Sequence, residues 1–117
     1  MLDGQQAIAE PRTYNTLNTE ELKHLEELED KYFRAVRDDA VKLVTTFFDT
    51  HTIIQTFTPQ VRIIRQRKRA LLNNVMRYLY RLGLEHEFIN NYIDRIYDYA
   101  LDYAMDGMLQ KSRNFSR

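Results

Sequence analysis

Residues that reverse the chain direction are scarce here, and that scarcity restricts the fold more than any other feature. Three glycines and two prolines serve 117 residues. An all-β fold needs a turn about every 8–12 residues, and glycine and proline make many of those turns. Long helices need few. The 44% hydrophobic content is enough for a core, and the length suits a single domain. An all-α bundle is expected.

The local signals place its rods. Residues 1–16 are polar, contain Gly4 and Pro11 and keep no sustained period, so they read as a flexible N-terminal arm. Asn18 can cap a first helix, Glu21 completes a capping box, and Leu17 and Leu22 stand where a hydrophobic staple would lie. From there Leu22, Leu25, Leu28, Tyr32, Val36, Ala40, Leu43 and Phe47 hold one stripe at helical spacing. Six threonines and two isoleucines then crowd residues 45–58 and lower helix propensity. A break near Asp49 to Thr52 with a short helical piece to Phe57 is expected there, and one unbroken helix is the rival reading.

Thr58 followed by Pro59 predicts the start of a second helix, with proline at its first position. Its apolar stripe runs Val61, Ile64, Leu71, Leu72, Val75, Leu79 and Leu82. Gly83 closes it, with Leu84 placed for the contact of a Schellman cap. A third helix follows at once, with Glu85 and Glu87 near its positive end. Its apolar positions, from Phe88 through Tyr92, Ile96, Ala100 and Ala104 to Met108, sweep more of the surface than one neighbour can cover. The short link at Gly83 folds the last two long helices into an antiparallel hairpin, and the first helix packs across them. The expected fold is a three-helix bundle, or four-helix if residues 52–57 count, spanning residues 17–111 with a flexible tail at 112–117.

Net charge is zero, yet charge is sorted by segment. Residues 19–49 carry nine acids and five bases, residues 50–84 seven bases and no acid, and residues 85–109 six acids and one base. Asp94, Asp98, Asp102 and Asp106 repeat every four residues on the third helix, as do Arg65, Arg69, Asn73, Arg77 and Arg81 on the second. In a straight hairpin turning at Gly83, Arg65 would face Asp102, Arg69 would face Asp98 and Asn73 would face Asp94, a zipper that sets register more than stability. Arg62, Arg65, Arg67, Lys68 and Arg69 form the densest basic cluster, at the helix end where the dipole favours an anion instead. Lys68 falls inside the apolar arc, where it must snorkel, pair with an acid of the first helix or face a partner.

Eight tyrosines are present. Tyrosine joins an apolar ring to a polar tip and is enriched where surfaces meet, so Tyr78, Tyr80, Tyr97, Tyr99 and Tyr103 are candidate interface residues.

Catalytic and cofactor patterns are sparse. The absence of cysteine excludes disulfides, thiolate zinc sites and a cysteine nucleophile. No glycine-rich phosphate loop occurs. His24, His51 and His86 lack ligand spacing, and Glu21-x-x-His24 is half of a di-iron motif without its second copy. No cofactor and no metal are expected. Arg81-x4-His86 resembles the arginine-to-histidine spacing of the HEPN ribonucleases, with Leu82 where that family usually has a polar residue. That resemblance implies a dimeric all-α ribonuclease using Arg81 and His86.

The leading expectation is a non-enzymatic helical interaction or regulatory module, a homodimer that binds a protein partner through its basic helix and tyrosine-bearing surface. A nucleic-acid-binding protein using the 62–69 basic patch is the alternative, and the HEPN-like ribonuclease comes third. No apolar run approaches the roughly 18 residues of a spanning helix, and the opening residues lack the order of a signal peptide. A cytoplasmic protein without a membrane partner is expected, or a virus-encoded one acting inside the cell.

Overall fold

The computed structural model describes residues 12–42 and 50–115, with side chains described over 12–42 and 59–110. Among the described residues the fold is an all-α bundle of four helices: α1 (Thr19–Lys42), α2 (Thr50–Arg67), α3 (Arg69–Arg81) and α4 (His86–Phe115). A 3-10 turn, Tyr14–Thr16, precedes α1.

Helix α1 begins as its capping box requires. The Glu21 amide donates to Asn18 Oδ1 at 2.8 Å, and the Asn18 amide donates to Glu21 Oε1 at 2.9 Å. Each side chain thereby satisfies a backbone donor that the first helical turn leaves open. Leu17, buried ahead of the cap, and Leu22 share one apolar cluster, which fixes the angle at which the chain enters the helix.

At the opposite junction, α3 ends in a Schellman arrangement. The Leu84 amide reaches the Leu79 carbonyl at 3.3 Å and the Gly83 amide reaches Tyr80 at 3.0 Å. Gly83 has φ +85°, a conformation open to glycine and strained for side chains with a Cβ. Leu84 is buried beside Leu79, and α4 starts two residues later.

Two corrections concern the middle of the chain. The second helix does not start at Pro59. Helix α2 is already formed from Thr50 and carries Pro59 inside it. Proline there forfeits one backbone hydrogen bond, and burial of Val61 and Ile64 just beyond it supports the helix. The break falls instead at Lys68, whose φ −93° and ψ 10° separate α2 from α3. The Leu71 amide bonds the Lys68 carbonyl three residues back, a tight turn between two helical axes.

Packing partners give the topology. Leu17 and Leu25 share a cluster with Val75, Leu79, Leu84 and Ile89, while Val36 and Ala40 share the other with Val61, Ile64, Ala100, Ala104 and Met108. Helices α1 and α4 therefore lie alongside and run parallel, and α2–α3 descends antiparallel to both. Small residues let α1 and α4 approach: a Cβ placed on Gly107 would come within 2.9 Å of Arg37 Cγ and 3.1 Å of Val41 Cγ2.

The boundaries also shift. Within the segment read as an arm, residues 12–16 are anchored. Arg12 donates to both Glu21 carboxylate oxygens (2.9 and 2.8 Å), and its amide bonds the Gly83 carbonyl at 3.1 Å. One residue thus ties the chain before α1 to the α3–α4 turn. Helix α4 runs to Phe115, past residue 111 where the domain was expected to end. Leu43, Phe47 and the expected break near Asp49 lie in or against the stretch outside the described residues. No described helix is long and apolar enough to cross a membrane.

Candidate functional site

The five cations of the 62–69 cluster separate into three environments. Arg65 turns inward. It is 8% exposed, its guanidinium carbon lies 3.9 Å from the centre of the Tyr97 ring, and its Nη1 donates to the Tyr97 carbonyl at 2.9 Å. An aromatic face and a carbonyl dipole replace the carboxylate that a buried cation usually finds. Its Nε has no hydrogen-bond partner.

Lys68, at the joint between α2 and α3, reaches Asp39 of α1 at 3.3 Å. Lys42 approaches the same carboxylate at 3.5 Å. Of the three fates open to a lysine in an apolar arc, pairing with the first helix is the one found.

Arg62, Arg67 and Arg69 are exposed. Among the described residues, none of the three has a carboxylate within ion-pair distance. Ile63, next to Arg62, is 47% exposed.

The expected Arg–Asp zipper is absent among the described residues, where no arginine of α2 or α3 pairs with an aspartate of α4. For Arg65 the break at Lys68 intervenes: a straight hairpin would carry it to Asp102, but it lies over Tyr97, more than a turn earlier on α4. Asp94, Asp98 and Asp102 stay exposed, with no cation in ion-pair distance among the described residues, and Asp106 accepts from Gln110 at 3.3 Å.

The tyrosines are distributed over several faces. Tyr78 is half-buried and meets the His24 ring edge-on at 4.6 Å. Tyr80, 41% exposed, bonds His86 Nδ1. Tyr97 lies under Arg65. Tyr99 and Tyr103 are 52% and 46% exposed, and Tyr103 stacks on Phe33 at 4.6 Å. Tyr99 and Tyr103, four residues apart, lie on one face of α4, and Met105, 44% exposed, lies on another.

The residues of the ribonuclease resemblance flank the Gly83 turn. Both His86 ring nitrogens are engaged, Nδ1 with Tyr80 and Nε2 with Asn90 at 3.1 Å. Arg81 is exposed at the end of α3. The His51 side chain lies outside the described ones. Among the described residues, no group of three or more histidines, aspartates or glutamates gathers in a way that could hold a metal ion.

The comparisons add no assignment. No family model, no curated protein and no solved structure matches this chain. What can be said of its sites rests on its own side chains.

One site escaped the sequence analysis. Between α1 and α4 lies a cavity of about 400 Å³ lined by Tyr14, Glu29, Phe33, Phe88, Tyr92 and Tyr99, with Ile96 and Arg95 also contributing. Glu29 accepts the Tyr92 hydroxyl hydrogen bond. Loss of water raises the Glu29 carboxyl pKa, against the bond from Tyr92, with Glu26 and Asp30 adding to the rise. Tyr92 is pushed up in turn, by burial first and then by its bond to Glu29. The signal was present in the sequence: Glu29 falls between Leu25 and Tyr32–Phe33 on the apolar side of α1, where a carboxylate is out of place.

Proposed function

We propose that this chain is a non-enzymatic helical interaction module that binds an acidic protein surface through Arg62, Arg67 and Arg69. The supporting observation is that these three guanidinium groups face solvent with no carboxylate beside them among the described residues, and that Ile63, next to Arg62 in the chain, is exposed as well. Arginines beside an apolar residue make a surface of the kind enriched in protein interfaces. Arginine also offers carboxylates paired donors in a fixed plane. Arg65 and Lys68, occupied within the molecule, hold the joint that presents the other three.

The module acts as a homodimer in this reading, its copies meeting through the exposed rings of Tyr99 and Tyr103 on α4. The exposed apolar area there is what supports it. Light scattering at high concentration should give twice the 14.1 kDa chain mass. A single 14.1 kDa species would remove the dimer and leave the arginine surface to be judged separately.

The test of the arginine surface is affinity capture from native extract, with and without nuclease, comparing the wild-type chain with Arg62→Glu/Arg67→Glu/Arg69→Glu. Protein partners held by wild type, lost by the variant and indifferent to nuclease support the reading. Identical capture by both chains overturns it. Capture lost after nuclease transfers the same arginines to the phosphates of a nucleic acid, whose binding would fall steeply with salt. The exposed Asp94, Asp98 and Asp102 favour the protein partner, since they would repel a polyanion beyond the patch.

A further inference from the structure

We propose that the cavity between α1 and α4 binds a small organic ammonium ion, with its charge on Glu29 and its apolar body among Tyr14, Phe88, Tyr92 and Tyr99. This site lies away from the α2–α3 arginines and does not depend on the reading of that surface.

The composition of the cavity selects the ligand. Five aromatic side chains, the four just named and Phe33, line a volume of about 400 Å³. That is within the range of small-molecule sites. Tyr14 lies over the inner rings, its centroid 6.1 Å from those of both Phe88 and Tyr92, which are themselves 5.7 Å apart. Aromatic faces carry negative potential and attract cations. The segment that supplies Tyr14 is held in place by the Arg12 bonds to Glu21 and Gly83, so this wall is built into the fold.

Charge points the same way. Glu29 has one hydrogen-bond donor, Tyr92, and no cation within ion-pair distance among the described residues. Arg95 reaches the cavity rim from α4 but does not pair with it. A carboxylate withdrawn from water and left without a counter-ion is unfavourable, and an ammonium ion seated beside it would supply that counter-ion. An anionic ligand would meet Glu29 with Glu26 and Asp30 close behind it. A neutral ligand would displace water from the carboxylate and return at most a hydrogen bond, without the counter-charge.

The experiment uses the whole chain and three probes with one ring body: benzylammonium, benzyl alcohol and benzoate at pH 7. Amide chemical shifts are followed by two-dimensional NMR. Benzylammonium should move resonances of residues 29–33 and 88–99 and bind at least about tenfold more tightly than either control. Glu29→Gln keeps an acceptor for Tyr92 and should abolish that preference while leaving the affinity for benzyl alcohol in place. Tyr14→Ala, a change at the exposed rim away from the Tyr99–Tyr103 face, should weaken benzylammonium about tenfold and serves if Glu29→Gln does not fold. Equal affinity for the three probes, preference for benzoate, shifts confined to other residues, or a preference that survives Glu29→Gln would each overturn the proposal. So would an absence of shifts at about 10 mM benzylammonium.

Discussion

The guanidinium carbon of Arg65 lies 3.9 Å from the centre of the Tyr97 ring, and the same side chain donates to the Tyr97 carbonyl. A single residue of α4 thus receives a buried cation on both its side chain and its backbone. The contact joins the end of α2 to the middle of α4 where the sequence pattern had placed an aspartate.

From this contact follows a graded response to substitution. Arg65→Ala removes the stem that packs in the core and should cost about 2–3 kcal/mol. Arg65→Met keeps most of that volume and removes a buried charge that has no carboxylate, so its cost should stay below about 1 kcal/mol. Urea denaturation of the two variants distinguishes packing from charge. Equal losses would mean that the guanidinium, not its stem, carries the contact.

Glu21 and Glu29 of α1 have pKa values moved in opposite directions. Glu21 is held near 2 by hydrogen bonding to Arg12 and then to the Asn18 amide, against an ordinary value of 4.5. Its folded pKa is lowered, so its contribution to stability is whole above about 4.5 and fades as pH falls towards 2. Glu29 is raised by burial, so its ionised form disfavours the fold, and protonating it relieves that cost. Glu21→Gln should therefore lower stability at pH 7 and flatten the acid limb, whereas Glu29→Gln should raise stability at pH 7 or leave it unchanged. Thermal melts from pH 7 to pH 2 read both slopes, and a loss at pH 7 in Glu29→Gln would contradict the assignment.

Tyr32 presents a different case. It is fully buried, and its hydroxyl has no hydrogen-bond partner. Burial pushes its pKa up to about 12. A buried hydroxyl without a partner keeps its desolvation cost, so Tyr32→Phe should stabilise the chain by about 1 kcal/mol. The denaturation midpoint should rise with an unchanged slope. A fall in midpoint would mean that the hydroxyl has a partner in solution.

The ends of the helices were legible because each is specified by residues a few positions apart. Asn18 with Glu21, and Gly83 with Leu84, act through backbone groups in their own turn, and both form as their spacing implies. The bundle itself was legible for the same kind of reason, since apolar residues at helical spacing must be buried against something. The start of α2 was not. Thr58 and Pro59 make a sound local start signal, but burial of Val61 and Ile64 carries the helix through it. Arg65 lost its expected partner because the bend at Lys68 lies between it and the Gly83 turn from which the register was counted. The cavity at Glu29 stayed hidden because its walls come from the segment before α1, from α1 and from α4, and no spacing along the chain records that meeting.

By itself, then, the sequence determined what depends on neighbours in the chain: an all-helical chain, its caps, its turn at Gly83 and the sorting of charge between segments. Tertiary structure alone decided which cations are spent inside and which are left outside. Arg65 and Lys68 are held by Tyr97 and Asp39, while Arg62, Arg67 and Arg69 face solvent. The physical reason is that a long cationic side chain settles wherever a ring, a carbonyl or a carboxylate comes within reach. That depends on how whole helices are rotated and bent against each other.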